Sequence, residues 1–341
     1  MAQDQKLHKL DDLFNSAKRY TKSSEYLNLI NFCKRMRHLG PYNAMLASIQ
    51  MPGAKFLLTA DKWLSMKRTL ALTARPVVIL MPFSPVDFVF DLSDTFPIDQ
   101  PIFEETEDDV LERIKHQFDP RIKYDIRDIM SNLYYNIQID GIHLARTKKG
   151  TQMAGRIVLL DDGQKYKVNA PVDVRNNDYE SVKAYYLIDI NQALLQGGEL
   201  LAIVHELGHL YCHHLPHPRP SAEESWSQRN LSKVAREFEA ESVAEIVFNH
   251  FGLDTDDVTT SYIAQYTTQN EEIPNGVSPD SIFSAAGKII QMLEGRLDIK
   301  KGLLYKNNKT FSRRVDRIRA ARSNRTVTRP SANQGASLFN E

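Results

Sequence analysis

Apolar residues recur at helical spacing through roughly the first fifty residues of the chain. The pattern begins at Leu7 and Leu10 and resumes at Tyr26 and Leu29, which predicts amphipathic helices. Gly40-Pro41 interrupts this pattern. Further along, a short helix capped by Thr59 is predicted, followed by two short apolar runs that are typical of strands, at 76–83 and 87–91.

The second half of the chain mixes both periodicities. Helical spacing predicts a helix over 108–135, and alternating apolar residues then predict strands at 135–144, 155–161 and 185–190. Three longer helices are expected at 199–214, 227–251 and 279–293, with Gly252 ending the second and Ser278 capping the third. These elements together predict an α+β protein.

Charge is segregated along a chain whose formal net charge is zero. Residues 1–75 hold 13 basic and 5 acidic side chains, 81–110 hold 9 acidic and no basic ones, and 300–329 hold 11 basic and 1 acidic. Such blocks are typical of polyanion-binding surfaces or of solvated helix faces. We predict a basic N-terminal module at 1–104, a second domain at 105–298, and a basic, partly disordered tail at 299–341.

No apolar run approaches the roughly 18 residues that a membrane span needs, and the polar start resembles no signal peptide. Cys33 and Cys212 are too few for a disulfide framework. A cytoplasmic protein with no membrane partner is therefore expected.

The clearest chemical motif is His205-Glu206-Leu207-Gly208-His209, an H-E-x-x-H pattern. Residues four apart lie on one helix face, so His205 and His209 are placed to bind one Zn²⁺. Glu206 lies about 100° around the helix and is expected to act as a general base toward a metal-activated water. The simpler alternative is a helix with two structural histidines.

A catalytic zinc site needs a third protein ligand. Glu237, Glu241 and Glu245 form an acidic ridge on the next long helix, where like charges repel in the absence of a cation. Any of the three is a candidate, and a solvated acidic face is the alternative. Glu239 is expected on the opposite helix face. A site made only within the first helix, using His213 and Cys212, is also conceivable.

These motifs resemble a known family. His205 to His209, followed at a distance by Glu237-Phe238-Glu239-Ala240-Glu241, is similar to the ImmA/IrrE-type zincin metallopeptidases. The resemblance implies Glu237 as the third zinc ligand. Glu241 would be an outer carboxylate that steadies a ligating histidine, or an alternative ligand if the register shifts by four residues.

The N-terminal part resembles the single-stranded-DNA-binding domain of ArdC-type antirestriction proteins. The similarity lies at 41–46, 52–56 and 59–63, and residues 67–75 depart from the family, which has glycines in a basic turn there. Residues 261–266 and 285–289 resemble the C-terminal segment of the same family. Single-strand binders combine basic side chains with exposed aromatic rings on which the bases stack. In the first seventy positions, basic residues are interleaved with five aromatic residues: Tyr20, Tyr26, Tyr42, Phe56 and Trp63.

The resulting expectation is a zinc metalloendopeptidase, a hydrolase acting on a protein substrate. Residues 186–190 are predicted as an edge strand against which an extended peptide pairs. Two alternatives remain open: a single-stranded-DNA-binding antirestriction protein whose zinc site is structural, and a regulator that cleaves one repressor.

Overall fold

A computed structural model describes residues 21–81, 86–99, 106–118, 124–148, 154–161, 163–219, 222, 225–253 and 262–327. Within these ranges the chain is mixed α+β, as its apolar patterns predicted. The part of the first helical pattern that starts at Leu7, together with Tyr20, lies outside the described residues.

The N-terminal elements alternate short helices and short strands. They are α1 (Ser23–Arg35), α2 (Pro41–Gln50), β1 (Leu57–Leu58), α3 (Ala60–Ser65), β2 (Arg68–Leu70), β3 (Val77–Ile79), β4 (Asp87–Asp91) and β5 (Thr95–Pro97). Strand β4 pairs antiparallel with both β1 and β3, and β2 pairs with β5. Gly40 has φ 74° immediately before Pro41, a backbone region that favours glycine, which explains the break between α1 and α2.

The elements that follow are α4 (Glu107–Phe118), α5 (Ile126–Ile139), β6 (Ile142–Thr147), β7 (Gly155–Leu159), β8 (Lys167–Asp173), β9 (Asp178–Lys183) and β10 (Tyr186–Asn191). Strand β10 is central in the order β6-β10-β7, parallel to β6 and antiparallel to β7. Strands β8 and β9 form a separate antiparallel pair.

The chain then becomes mostly helical, with α6 (Gln196–Tyr211), α7 (Lys233–Phe251), α8 (Tyr262–Gln269), α9 (Pro279–Glu294), α10 (Leu303–Asn307) and α11 (Lys309–Val327). The predicted caps are confirmed. Gly252 ends α7 with φ 64°, and the Ser278 hydroxyl accepts a hydrogen bond from Ser281 N at the start of α9.

Two sequence-based expectations need correction. The helix predicted over 108–135 is two helices, and residues 135–139 extend α5 because Leu133 and Ile137 continue its buried helical face. The segment after residue 299 is helical to Val327, and Phe311 and Val315 are fully buried in the core. The predicted basic, partly disordered tail thus begins with packed helical structure over that range, and its remainder lies outside the described residues.

One hydrophobic cluster draws buried side chains from both sides of residue 104. Tyr26 of α1 packs against Phe238 of α7 at 5.2 Å between ring centroids, and Tyr42 of α2 donates a hydrogen bond to Asp280 of α9. A smaller cluster joins Trp63 to Ile114 of α4. The domain boundary at residue 104 stays a prediction, and the contacts across it are extensive.

No helix in the described parts of the chain is both long and apolar enough to cross a bilayer. Cys33 and Cys212 are both buried and free of disulfides.

Candidate metal centre

The candidate centre forms where α6 and α7 pack closely. Gly208 of α6 faces the backbone of Ala240 in α7, and a Cβ at Gly208 would lie 3.1 Å from Ala240 Cα and 3.2 Å from its carbonyl oxygen. The absence of a side chain at Gly208 lets the two helices approach at this point. His205 and His209 flank Gly208, so the same contact brings both histidines to the polar residues of α7.

Three side chains converge between these helices. The Nε2 atoms of His205 and His209 lie 3.2 Å apart. Glu237 Oε2 is 3.5 Å from His205 Nε2 and 3.7 Å from His209 Nε2. These ligand atoms all lie within 4.8 Å of one another, which makes the three residues a group that could hold a metal ion. Two imidazoles and one carboxylate are a donor set that suits Zn²⁺.

The other two carboxylates of the acidic ridge have different partners. Glu241 Oε1 lies 3.3 Å from His205 Nδ1, on the side of the imidazole that faces away from Glu237. Glu245 contacts Lys34 of α1 at 2.7 Å. Glu237 therefore faces the convergent nitrogens, Glu241 faces the outer nitrogen of one histidine, and Glu245 forms an ion pair elsewhere.

The carboxylates strongly perturb the protonation of the histidines. Burial lowers the pKa of His205, but its contacts with Glu237 and Glu241 outweigh burial and raise that pKa to about 10. Burial also lowers the pKa of His209, and contact with Glu237 only partly offsets this. Contacts with the two imidazoles hold the pKa of Glu237 well below its usual range. The negative charge of the clustered carboxylates attracts a cation, and protons compete with that cation for the same side chains.

Glu206 lies in the wall of the cleft that contains these residues. Its side chain is 7% exposed, and a Cβ at Gly155 in β7 would lie 3.4 Å from Glu206 Oε1. The cleft has a volume of about 820 Å³ and runs between β7 and the facing sides of α6 and α7. Arg156, Lys233 and Arg236 add basic groups to its lining. A carboxylate thus borders the space beside the two histidines.

The predicted edge strand was wrong. Residues 186–190 belong to β10, which is buried and lies between β6 and β7. The strand that lines the cleft is β7, and within the described residues its only partner strand is β10. Its other edge therefore has no partner strand in the part of the chain that the structure describes.

Sequence reasoning about the site missed the polar residues behind His209, namely His214, Glu239 and Arg229. Helix α6 ends at Tyr211, and His213 has φ 62°, so His213 leaves the helix instead of continuing its ligand ladder. His214 turns back so that its Nδ1 lies 2.8 Å from His209 Nδ1. Glu239, expected on a face away from the site, is fully buried and contacts His214 and Arg229. Since His214 and Glu239 lie 25 residues apart, periodicity within one helix carries no signal for their contact.

Three of the five N-terminal aromatics expected to stack on bases lie in the core, while Tyr42 is partly exposed and Tyr20 lies outside the described residues. Tyr26, Phe56 and Trp63 are 0–2% exposed, and Trp63 Nε1 donates a hydrogen bond to the Phe90 carbonyl. Bases stack only on exposed rings. Part of the basic charge is also neutralised within the fold, since Lys34 pairs with Glu245 and Lys55 pairs with Glu107.

A scan against protein-family models, a search of curated proteins and a search of solved structures each found no match to this chain.

Proposed function

We propose that the chain is a zinc-dependent metalloendopeptidase whose second half is a zincin-like domain of the ImmA/IrrE type. The observation that carries the proposal is the convergence of His205 Nε2, His209 Nε2 and Glu237 Oε2 beside the Glu206 carboxylate. On this assignment the first three residues hold the metal. Glu241 steadies His205 from its outer nitrogen.

Zinc bound there would supply a Lewis acid and lower the pKa of a water molecule into the neutral range. The role of Glu206 is to accept a proton in the cleft and to return it to the leaving amine. Its neighbours support this role, because the carboxylate is held between the histidine helix and the backbone of β7 at Gly155.

The position of β7 supports an extended peptide as the substrate. An edge strand offers unpaired backbone N–H and C=O groups to which a peptide can add as a further strand. Strand β7 passes next to Glu206, so a peptide bound along it would place one of its carbonyls near the candidate centre. A protein substrate, including a regulator or repressor, fits this arrangement.

The alternative, a single-stranded-DNA-binding antirestriction protein with a structural zinc site, has less support. The stacking role expected of the N-terminal aromatic residues is weakened because Tyr26, Phe56 and Trp63 lie in the core. Exposed basic residues such as Lys22 and Arg35 remain, but exposed charge alone is common on helix surfaces.

The proposal is tested by metal analysis and by replacing the general base. We expect about one zinc per chain in the purified protein. Glu206→Gln should keep the zinc and the fold while lowering hydrolysis by about 10²-fold or more. Hydrolysis is measured by mass spectrometry as new amino termini in a mixed library of amine-blocked peptides.

The matched control is Glu112→Gln, because Glu112 is an exposed glutamate on α4, remote in sequence from the centre. It should leave both zinc content and hydrolysis unchanged. Zinc-loaded protein that cleaves no peptide, or full hydrolysis by Glu206→Gln, would contradict the assignment of a catalytic centre.

A further inference from the structure

A buried chain of polar side chains begins at His209 and leads through His214, which also lines the cleft, into the protein interior. It runs from His209 to His214, then to Glu239, and ends at Arg229. His214 is 3% exposed and Glu239 is 0% exposed. Both are held by the backbone: His214 N donates to the His209 carbonyl at 2.9 Å, and Ser278 N donates to Glu239 at 2.7 Å.

Glu239 acts only as an acceptor in this chain. Its Oε1 receives Arg229 Nη2 at 2.9 Å and Ser278 N at 2.7 Å, and its Oε2 receives Arg229 Nη1 at 2.6 Å. His214 Nε2 lies 2.7 Å from the same Oε2. A carboxylate surrounded by N–H donors has no proton to offer, so His214 must carry its proton on Nε2.

Since the Arg229 guanidinium already balances the charge of Glu239, His214 needs no second proton, and this assignment then determines where the next proton lies. In a neutral imidazole with a proton on Nε2, Nδ1 is a bare acceptor. His214 Nδ1 is 2.8 Å from His209 Nδ1, so the hydrogen bond between them requires a proton on His209 Nδ1. His209 Nε2 is then left with its lone pair directed toward His205 and Glu237, which is the tautomer that a metal ligand needs.

We propose that His214 and Glu239 are positioning residues that hold His209 in the Nδ1-protonated tautomer and so prepare its Nε2 for the metal. The inference deepens the proposed metal centre and rests on it. The two ligand histidines are oriented differently: His205 contacts Glu241 directly, whereas His209 contacts its carboxylate through a second imidazole. Arg229 fixes that carboxylate with two hydrogen bonds.

The same residues also form a second group with metal-binding side chains, Cys212, His214 and Glu239. The contacts argue against a metal there. Both oxygens of Glu239 are occupied by donors, and the Arg229 guanidinium brings a positive charge to the place where a cation would sit. Burial also raises the pKa of the Cys212 thiol well above its ordinary value, which disfavours the thiolate that binds metal.

The first test observes the tautomer directly in the metal-free full-length protein. Protein labelled with ¹⁵N at the histidine rings is examined by NMR, and His209 is assigned by its loss in a His209→Gln variant. We expect the proton of His209 on Nδ1 and that of His214 on Nε2. A wild-type His209 protonated on Nε2 would overturn the proposal, whatever the metal content of the protein.

The second test compares two replacements of His214. His214→Asn keeps an acceptor oxygen near the place of Nδ1, whereas His214→Leu has similar bulk and no acceptor. Zn²⁺ affinity is measured by competition with a chelator, and circular dichroism checks the fold. Loss of an outer hydrogen-bond partner typically weakens metal binding about 10–100-fold. We expect a loss of this size in His214→Leu and partial recovery in His214→Asn.

The outcomes separate the two proposals. Wild-type protein that binds no Zn²⁺ would refute the metal centre itself. Zn²⁺ bound by wild type and by His214→Leu with equal affinity would refute the positioning role alone. If His214→Leu does not fold, the tautomer measured in the wild-type protein still decides the question.

Discussion

Glu237 and Glu239 lie two residues apart on α7, and replacing each by glutamine should affect a different property of the protein, zinc binding in one case and stability in the other. Glu237 is half-exposed and faces the two histidines of the centre. Glu239 is fully buried and accepts from His214, Arg229 and Ser278 N. We therefore predict that Glu237→Gln abolishes zinc binding with little loss of stability, and that Glu239→Gln mainly destabilises the fold.

The magnitude follows from the contacts. Glu239 accepts four hydrogen bonds of 2.6–2.9 Å, two of them from one guanidinium. Removing one partner of a buried ion pair costs about 3–5 kcal/mol, because the remaining charge stays desolvated and unpaired. Half-exposed ion pairs such as those of Glu237 contribute about 0–1 kcal/mol. The two variants should thus differ by about 2 kcal/mol or more in the free energy of unfolding.

The assay is urea unfolding of both variants in excess chelator, followed by zinc titration of the folded proteins. Glu241→Gln is the matched control on the same helix, since Glu241 contacts only the outer nitrogen of His205 among the site residues. It should unfold like wild type and keep its zinc with reduced affinity. The reasoning fails if Glu239→Gln unfolds within about 1 kcal/mol of wild type, or if Glu237→Gln retains zinc at wild-type affinity.

Three further predictions concern other parts of the chain. Gly208→Ala should weaken zinc binding, as measured by chelator competition, because the new methyl group clashes with Ala240. The clash should lower the free energy of unfolding by about 1–3 kcal/mol, less the gain of about 1 kcal/mol in helix propensity. Unchanged zinc affinity would show that the two helices separate freely. Burial lowers the pKa of His38 from 6.5 to about 4, and the ring donates a hydrogen bond to the Leu57 carbonyl. Between these two pH values the unfolded chain binds a proton at His38 that the folded chain does not bind. The free energy of unfolding should therefore fall by about 3 kcal/mol as the pH drops from 6.5 to 4. Urea unfolding across this range should show a weaker slope in His38→Gln, whose amide preserves the hydrogen bond, and an identical slope would assign the effect to other groups. Arg236→Glu reverses a basic charge in the cleft and should disfavour the cleavage of peptides with acidic residues. The relative kcat/KM should change a few-fold, since exposed ion pairs contribute about 0.2–1 kcal/mol. An unchanged cleavage profile would exclude Arg236 from substrate contact.

Local features of the chain were predictable because their causes are local. The H-E-x-x-H spacing places His205 and His209 on one face of any helix, and their Nε2 atoms do converge, at 3.2 Å. Gly252 and Ser278 end and begin helices through hydrogen bonds within a few residues. The mixture of helical and alternating patterns was likewise sufficient for the α+β class.

Choices between equivalent positions were not predictable, because they depend on contacts distant in sequence. Glu237, Glu241 and Glu245 share one helix face, and only the axial offset of α7 against α6, set where Gly208 meets Ala240, determines which carboxylate faces both histidines. The same holds for strands, since an apolar run does not reveal its place in a sheet. Residues 186–190 proved central, and β7 proved to be one of the two edge strands of that sheet.

Burial of individual side chains was decided by tertiary structure alone. The basic residues that flank Trp63 in the sequence do not reveal whether its ring lies in the core or on the surface. Its packing with α4 and its hydrogen bond to the Phe90 carbonyl place the ring in the core. Glu239 was expected on the helix face opposite the acidic ridge, and only the turn at His213 and the loop carrying Arg229 show that it is fully buried. A charged side chain is stable in such a position only when partners from other segments satisfy it, and helical periodicity contains no information about those partners.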